Sequence, residues 1–404
     1  MLERERNLEH SGGILCDEMG LGKTIQMFSL ILNSPAGGNT LVICPKSVVH
    51  QWEQESFRIG VPVTVTTYHQ VEKLMGTRWT RIILDEAHEV RNAKSKTHRR
   101  IKTLKYTYAW MVTGTPVYNS ISDFAALASF IGYTRMDIQR YDEQIRRDIV
   151  LRRTKDDMQE FRLPKCHIET VDVPMEPEEQ DLYANLYAGF CGKAELITSR
   201  DTMELLEMFL RLRQFMILPS MVPGVEFEGT FSKMARLFEL LGTHPDEKAL
   251  VFTQFHAESD FIQARAKRNG WPVCRIDGSV DEEARVHQIE KFKKGSGRSV
   301  FIIQIKAGGQ GLNLQEATRV YIMGPSWSPA TELQAISRAH RTGQTKEVRV
   351  VRLVSVCTGV PSIEESIQEL QNHKMVVTSE VLSDPRLVPI GRRMTAVELK
   401  KFFV

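Results

Sequence analysis

The sequence contains no long hydrophobic run. Its apolar stretches all fall short of the ~20 residues that cross a bilayer, and residues 1–6 are mostly charged. A secretory signal peptide would instead place an apolar segment near the start of the chain. The sequence therefore indicates neither a membrane-spanning nor a secreted protein, and we expect no membrane partner.

Cysteine is scarce and scattered. The six cysteines are Cys16, Cys44, Cys166, Cys191, Cys274 and Cys357. None forms a C-x₂-C pair, and none has a histidine partner at the spacing of a zinc site. Several lie in apolar runs, where a reduced cysteine behaves as a small core residue. We therefore expect neither a zinc finger nor a disulfide framework.

A strong net charge is also missing, since 53 basic residues face 50 acidic ones and the formal charge is +3. A strongly basic domain would be an electrostatic footprint of nucleic-acid binding, so any basic surface must be local. Hydrophobic residues make up 42% and charged residues 25%, as in ordinary globular proteins. The length of 404 residues suits two to three domains of about 100–200 residues each.

A glycine loop between an apolar run and a helical run forms the first candidate site. Residues 12–16 are short and apolar, like a buried strand, and residues 25–32 look helical. Glycines let backbone N–H groups approach phosphates, and the following helix points its positive dipole end at them. The predicted nucleotide-binding residues are Gly20, Leu21, Gly22, Lys23 and Thr24.

Within this loop, Lys23 is predicted to reach the β- and γ-phosphates, and Thr24 to ligate Mg²⁺. The usual pattern has a glycine where this chain has Asp17. The alternative is a glycine-rich surface turn that happens to contain a lysine.

The segment Asp85-Glu86-Ala87-His88 forms the second candidate site. It follows residues 81–84, an apolar run of strand length, and open α/β sheets bind ligands at the carboxyl ends of their strands. Asp85 is predicted to hold Mg²⁺, and Glu86 to orient or activate an attacking water. The alternative is a pair of carboxylates that cap a helix N-terminus.

An arginine cluster forms the third candidate site. Ser328 and Pro329 suit the cap and the first turn of a helix. Gln334, Arg338 and Arg341 then fall at i, i+4 and i+7, on one face of that helix. Two arginines together suit a phosphate that gains charge in a transition state, an effect worth roughly 10³–10⁵ in rate. The alternative is a solvated basic helix face.

Together, these motifs resemble the SWI/SNF-like ATPases of helicase superfamily two, which translocate on double-stranded DNA. The segments that carry the resemblance follow the family's order and cover most of the chain: residues 17–24, 85–88, 113–116 (TGTP), 151–155 (LRRTK), 306–314 and 334–344. Residues 2–5 and 12–15 are similar to the repair-associated branch. The RING finger often inserted in that branch is absent, so its ubiquitin ligase activity is not expected.

The resemblance implies an α/β fold with two RecA-like parallel-sheet lobes and a helical connector between them. We place the ATP-binding lobe at residues 1–155, the connector at 156–231, and the C-terminal helicase lobe with a bracing C-terminal segment at 232–404. Alternating strand-like and helical runs themselves predict parallel sheets with covered faces. The predicted strands are 40–44, 63–67, 81–84 and 109–113 in the first lobe, and 249–255, 273–277, 299–305, 319–323 and 348–354 in the second.

Two apolar stripes at helical spacing predict helices. They are Leu205, Phe209, Leu212 and Met216 in the connector, and Met234, Leu237 and Leu241 before the second lobe. Residues 176–179 are typical of a helix start.

Short polar segments after several predicted strands are candidates for contact with a DNA backbone. The residues are Lys46, Ser47, Thr67, Ser279, Lys306 and Gly308. Lysines, hydroxyls and backbone amides position a phosphate backbone without reading sequence, so binding should be sequence-nonspecific and strongly salt-dependent. The alternative is ordinary loop chemistry at strand ends. For Trp52 we favour core packing over base stacking, and the role of Trp327 stays open.

The resemblance implies a mechanism in which ATP binds in the cleft between the lobes. Thr24 and Asp85 would hold Mg²⁺, Glu86 would help water attack, and cleft closure would bring Arg338 and Arg341 to the γ-phosphate. Residues 113–115 would relay the nucleotide state to the DNA, and any basic surface should lie within the cleft. The implied partners are double-stranded DNA and, with it, nucleosomes or other DNA-bound proteins. The implied location is the nucleus, or the site of genome replication for a viral protein.

Two departures from the family pattern affect this interpretation. The family's adenine-contacting glutamine segment is missing, because only residues 1–11 precede the first strand, so either nucleotide selectivity is relaxed or the chain is truncated. Gln310 replaces a small or apolar residue, and an acidic residue common before the tryptophan is absent near residues 323–325. Two rival functions are a catalytically weak DNA-binding scaffold subunit and a strand-separating helicase.

Overall fold

The computed structural model describes residues 1–6, 11–34, 36–114, 121–154, 157, 163–197, 202–229, 231–305, 312–382, 399–400 and 402–403. The side chains of residues 121, 202, 282 and 373–382 lie outside this description. The chain forms two compact units, built mainly on Met1–Leu163 and on Pro164–Val377.

The first unit contains a six-stranded sheet in which all pairings are parallel. Its strands are β1 (Gly12–Leu15), β2 (Thr40–Cys44), β3 (Thr64–Thr67), β4 (Arg78–Asp85), β5 (Lys105–Val112) and β6 (Val150–Leu151). The strand order is β3-β2-β4-β5-β1-β6. This order places β4, β5 and β1 side by side at the centre of the sheet.

Helices of the first unit connect these strands. They are α1 (Lys23–Asn33), α2 (Val49–Ile59), α3 (Lys96–Lys102), α4 (Ile121–Ala128) and α5 (Arg135–Ile149). Both faces of the sheet are covered, since Ile82 and Leu84 belong to one core cluster while Ile83 belongs to another. A strand buried on both faces is expected to be a continuous apolar run, which is why the sequence predicted these strands.

The second unit contains another six-stranded parallel sheet, in the order β7-β12-β11-β8-β10-β9. Its strands are β7 (Cys166–Pro174), β8 (Lys248–Thr253), β9 (Val273–Ile276), β10 (Ser299–Gln304), β11 (Arg319–Ile322) and β12 (Val348–Val356). The predicted fold class, with two parallel-sheet lobes, is confirmed.

Helices of the second unit include those predicted from the apolar stripes. They are α6 (Pro177–Leu196), α7 (Thr202–Phe215), α8 (Ser232–Gly242), α9 (His256–Arg268), α10 (Glu282–Lys294), α11 (Pro329–Ile336) and α12 (Ile363–Leu382). The residues of both stripes are buried: Leu205, Phe209, Leu212, Met216, Met234, Leu237 and Leu241. Glu176 is the N-cap of α6, as the sequence indicated.

Strand β7 lies within residues 156–231, for which the sequence predicted a helical connector and no strand. It pairs with β12 along its whole length, from Val348 opposite Cys166 to Val356 opposite Pro174. Most of β7 is exposed or half-buried, as befits the edge of the sheet. An edge strand needs no continuous apolar run, so its polar residues masked the signal. The short strand β6 was also not predicted. The three-part division of the chain stays a prediction.

All six cysteines are free thiols. Over the part of the chain that the structure describes, no helix combines the length and the apolar character needed to cross a membrane.

Candidate nucleotide and nucleic-acid sites

The first candidate site lies at the carboxyl edge of the first sheet. Strands β4, β5 and β1 are neighbours, so the segments that follow them meet at this edge. Asp85 ends β4, Thr113 follows β5, and the glycine loop follows β1. The sheet order thus brings together motifs that are about 30 to 90 residues apart in sequence, where an open α/β sheet places its ligands.

Lys23 is held against the glycine loop. Its Nζ donates to Asp17 O at 2.9 Å and to Glu18 O at 3.3 Å. Gly22, the residue before α1, has a φ of 71°. This is a left-handed conformation that glycine adopts readily. A Cβ at Gly114 would lie 2.6 Å from Met19 Cγ and 3.1 Å from Lys23 Nζ, so a larger residue after Thr113 would displace both side chains. Thr24 lies in the first turn of α1.

Lys23, Asp85 and Glu86 form one electrostatic group. Burial lowers the pKa of Lys23, and the carboxylates of Glu86 and Asp85 oppose that shift. Burial raises the pKa of Asp85 to about 6, with Glu86 adding to the rise and Lys23 opposing it. The structure therefore brings together the predicted phosphate lysine and the two predicted catalytic carboxylates.

Asp85 is fixed by three hydrogen bonds. Trp52 Nε1 donates to Asp85 Oδ2 at 2.8 Å, and Glu86 N donates to Asp85 Oδ1 at 3.0 Å. Tyr68 Oη donates to the Asp85 carbonyl at 2.7 Å. Trp52 is buried, as expected for a core residue, and its ring lies 5.4 Å from that of Phe28. Its role in orienting Asp85 was not predicted.

Glu86 turns the chain sharply after β4. Its φ is 52°, the one positive value at a non-glycine residue over the described ranges. Its side chain makes no capping hydrogen bond to the short 3₁₀ turn that follows, so the helix-cap alternative gains no support. Instead Glu86 Oε2 lies 3.3 Å from His88 Nδ1. Burial opposes protonation of His88, but contact with Glu86 outweighs it and raises the His88 pKa.

Asp17 has a structural role that the sequence did not reveal. It is fully buried and accepts hydrogen bonds from Arg153 N and Gln26 Nε2, each at 2.9 Å. Arg153 also forms an ion pair with it. The loop can hold a buried charge at Asp17 because Arg153, in the segment that follows β6, pairs with it. The one signal for this contact in the sequence is that Arg153 belongs to the LRRTK segment.

The arginine segment of the second unit differs from the prediction. Helix α11 ends at Ile336, so Arg338 and Arg341 do not share a helix face with Gln334. The chain continues in turns, because Arg338 N donates to Ala335 O, an i−3 pairing, at 3.1 Å. Pro329 starts the helix as predicted, but Ser328 makes no capping hydrogen bond.

Gln344 fixes the turns that carry the arginines. Its Nε2 donates to Gln315 O, Ala317 O and Ala339 O at 2.8, 3.1 and 3.2 Å. Its Oε1 accepts from the backbone of the two residues that follow. A buried amide with this many partners positions backbone rather than ligand. The solvated-face alternative fails for Arg338, which is 8% exposed.

Arg341 is held close to the sheet. Its Nη1 donates to Leu312 O at 3.0 Å, and burial lowers its pKa. Gln334 is half-buried on α11. The two arginines therefore sit in a backbone frame defined by Gln344, which the sequence motif included but did not explain.

The predicted DNA-contacting residues occupy strand ends. Lys46 and Ser47 are exposed after β2, and Thr67 ends β3. In the second unit, exposed Ser279 follows β9, and its hydroxyl donates to Asp277 Oδ1 at 2.6 Å. Burial opposes ionisation of Asp277, but bonds from Ser279 and Arg275 outweigh it and lower the pKa to about 2.

Several predicted residues lie outside the described part of the chain. They are Lys306, Gly308 and Gln310 in the second unit, and Thr115, Pro116 and Lys155 in the first. Trp327, whose role was left open, has its ring centroid 6.2 Å from that of Phe209 and 6.3 Å from that of Phe402. These edge-on contacts place it in the aromatic cluster beside α7.

Comparison with protein families finds two matching family models. The model of the SNF2-related domain matches residues 1–73 and 54–221. The model of the helicase conserved C-terminal domain matches residues 232–343. The first match covers more than half of the chain.

Three relatives illustrate the range of the similarity. The human SWI/SNF-related matrix-associated actin-dependent regulator of chromatin subfamily A member 1 is 28% identical, over 93% of this chain and 42% of its own length. A putative ATP-dependent helicase/translocase of Bacillus subtilis is 28% identical, over 97% of this chain and 48% of its own length. A probable global transactivator of Orgyia pseudotsugata multicapsid polyhedrosis virus is 26% identical, over 100% of this chain and 92% of its own.

Among solved structures, the Sulfolobus solfataricus SWI2/SNF2 ATPase core in complex with dsDNA is similar, with 25% identity and a TM-score of 0.45. The match covers 94% of this chain and 90% of that one. The chain thus spans less than half the length of the human and bacterial relatives and most of the length of the viral one.

Proposed function

The chain belongs to the SNF2-related family, and from this premise we propose that it is an ATP-hydrolysing motor that translocates on double-stranded DNA. One observation carries the proposal. Lys23, Asp85 and Glu86 meet at the carboxyl edge of one sheet, where Lys23 and Asp85 shift each other's pKa and Glu86 shifts the pKa of both. A cation beside two carboxylates is the minimal set for placing a phosphate, a metal ion and a water together.

The donor set fits Mg²⁺. This ion takes oxygen ligands, mostly one or two carboxylates together with substrate phosphates. Asp85 supplies a half-buried carboxylate whose pKa is raised because burial and Glu86 disfavour its charge. Thr24 supplies a hydroxyl in the first turn of α1. When bound, Mg²⁺ would neutralise charge on the phosphates.

Each of the candidate site residues has a proposed role in ATP hydrolysis. Lys23 and the amides of the glycine loop bind the phosphates, and the start of α1 adds its dipole. Glu86 orients the attacking water. Arg338 and Arg341 stabilise charge on the transferred phosphoryl group, with Gln334 as a further polar contact.

The proposed DNA contacts are sequence-independent. Lys46, Ser47, Thr67 and Ser279 are polar residues at strand ends with access to solvent, the type of group that positions a phosphate backbone. Lys306 and Gly308 are retained as further candidates. We propose duplex DNA as the partner, with nucleosomes or other DNA-bound proteins as remodelled substrates and the nucleus as the location.

The test is steady-state ATP hydrolysis with double-stranded DNA, with single-stranded DNA and without nucleic acid. We expect strong stimulation by the duplex. Lys23→Ala and Arg341→Ala should abolish turnover while the fold remains, and Lys73→Ala, at an exposed lysine of the first unit, should not. Normal turnover in Lys23→Ala would refute the site assignment.

The same assay separates the rivals. Hydrolysis absent under every condition, with DNA binding retained, would support a scaffold subunit. Release of a displaced oligonucleotide from a partial duplex would support a strand-separating helicase, whereas a translocase should hydrolyse ATP without releasing it.

A further inference from the structure

Three helices of the second unit end at the edge of the sheet where its parallel strands begin, here called the amino edge. Arg298, just before β10, donates from Nη2 to Gly242 O at the end of α8, at 3.1 Å. Lys248, at the start of β8, donates to Lys293 O near the end of α10, at 2.9 Å. Trp271, which follows α9, leads into β9.

Basic side chains concentrate at this edge. The amino-edge surface consists of Arg265, Lys267 and Arg268 on α9, Lys291, Lys293 and Lys294 on α10, and Arg298 before β10. Lys294 pairs with Glu290 on its own helix. Within the described ranges, the other cations of this surface have no carboxylate within 4 Å. The surface therefore carries a local excess of positive charge in a chain of nearly balanced composition.

Two of the arginines are fixed by aromatic rings. The Arg265 guanidinium lies 4.6 Å from the ring centroid of Phe238, and the Arg298 guanidinium lies 4.4 Å from that of Trp271. The two rings stack at 5.7 Å with an interplanar angle of 26°. Arg265 therefore contacts Phe238, Phe238 stacks on Trp271, and Trp271 contacts Arg298, so one aromatic pair positions both guanidinium groups.

Helix dipoles explain only part of this arrangement. A cation in the last turn of a helix gains about 0.3–1 kcal/mol, which accounts for lysines near the ends of α9 and α10. It also accounts for Arg298, which donates to Gly242 O at the end of α8, but not for the lack of carboxylates around Lys267, Arg268 and Lys293. Surface charges are normally interspersed with the opposite sign.

The basic region has a definite limit. Next along the same edge, at the starts of β8, β11 and β12, lies a pocket of about 620 Å³ in which acidic and basic residues balance: Asp246, Glu247, Glu316 and Glu347 against Lys248, Arg319, Lys346 and Arg349. Glu247 there pairs with Arg319. The excess of positive charge is therefore confined to the part of the edge formed around β9 and β10.

We propose that the amino-edge surface binds the phosphate backbone of a second DNA segment, apart from the strand-end groups such as Ser279. A strand of six residues, like β10, separates the two edges by about 20 Å. The identity of the polyanion as DNA rests on the proposed function. Phosphate binding fits because lysine is depleted at protein interfaces and aromatic residues are enriched there, whereas this surface is lysine-rich and its rings, Phe238 and Trp271, are buried and half-buried.

The test is the salt dependence of binding to a long DNA duplex, measured by fluorescence anisotropy without ATP. The variant Lys267→Gln/Arg268→Gln/Lys293→Gln should weaken binding and reduce the slope of log K against log[salt] by about 2–3, since each phosphate contact contributes about 0.9. The matched control, Arg58→Gln/Arg100→Gln/Arg147→Gln, removes the same charge at solvent-accessible arginines that pair with Glu55, Glu72 and Glu143. Its slope should stay close to that of the unchanged protein.

A charge-retaining variant, Lys267→Arg/Arg268→Lys/Lys293→Arg, should keep the original slope, which separates charge from folding. Equal losses in the glutamine variant and the matched control would overturn the proposal. A parallel measurement uses poly-glutamate in place of DNA. If the glutamine variant binds DNA unchanged but no longer binds poly-glutamate, the surface binds an acidic protein partner and the proposal is overturned. Because the assay needs no ATP, absent hydrolysis would refute the motor function without affecting this result.

Discussion

The hydrogen bond from Trp52 to Asp85 makes a specific prediction about the pH dependence of activity. Trp52 Nε1 lies 2.8 Å from Asp85 Oδ2, and this bond lowers a pKa that burial has raised to about 6. The substitution Trp52→Phe keeps an aromatic ring beside Phe28 but removes the donor. The ionised form of Asp85 should then become less favourable.

The magnitude follows from the energy of the bond. A hydrogen bond to a charged group contributes about 1.5–3 kcal/mol, and one pKa unit corresponds to about 1.36 kcal/mol. The Asp85 pKa should therefore rise by about 1–2 units in Trp52→Phe. At pH 7, the ionised fraction would fall from roughly nine tenths to between a tenth and a half.

The assay is the pH profile of kcat/KM for DNA-stimulated ATP hydrolysis, which reports groups of the free enzyme. Activity needs ionised Asp85, so it should be lost as pH falls, and the acidic limb should move to higher pH in Trp52→Phe. Trp110→Phe is the matched control, because it removes a buried indole donor to Glu5 that lies 2.9 Å away, outside the site. An acidic limb that is unmoved in Trp52→Phe, or equally moved in Trp110→Phe, would refute the reasoning.

Three further predictions concern stability. Arg153→Ala should lower the free energy of unfolding by about 1–3 kcal/mol in urea denaturation, because buried Asp17 loses a charged donor but keeps Gln26; no loss would mean that the pair is not formed. Lys233→Met should cost about 3–5 kcal/mol by leaving buried Glu364 unpaired, and adding Glu364→Leu should recover part of it, so a further loss would contradict the pairing. Burial raises the pKa of Glu258 from 4.5 to about 7, so folding takes up a proton between these values and stability should fall as pH rises from 4.5 to 7. Glu258→Gln should reduce that slope in a pH series of thermal melts, most clearly between pH 6 and 7, and an unchanged slope would exclude this group as a source of it.

Much of the candidate site was predictable because its signals are local. The glycine loop, the Asp85-Glu86 pair and the apolar runs each fall within a few residues, and a parallel sheet places the ends of successive strands at one edge. The sequence also predicted the buried stripe on α7, since helical spacing alone decides which residues share a face. Assignment of the residues to catalysis and DNA binding stays a prediction.

Other features depended on partners far apart in the chain. The pairing of Asp17 with Arg153 spans 136 residues, and that of Trp52 with Asp85 spans 33. No periodic pattern of residues in the sequence predicts such contacts, because they form only once the strands are ordered in a sheet.

By itself, the sequence determined the fold class, the order of the motifs and the positions of the buried strands, since hydrophobic burial and backbone geometry act over short distances. Only the tertiary structure decided where α11 ends, because the turns that carry Arg338 and Arg341 are fixed by Gln344 bonding to carbonyls of residues 315 and 317. It also decided that polar residues 166–174 form a strand, because the ladder with β12 supplies their backbone partners. Charges and amides find their partners through the fold, and those partners set the ionisation and the orientation on which a function depends.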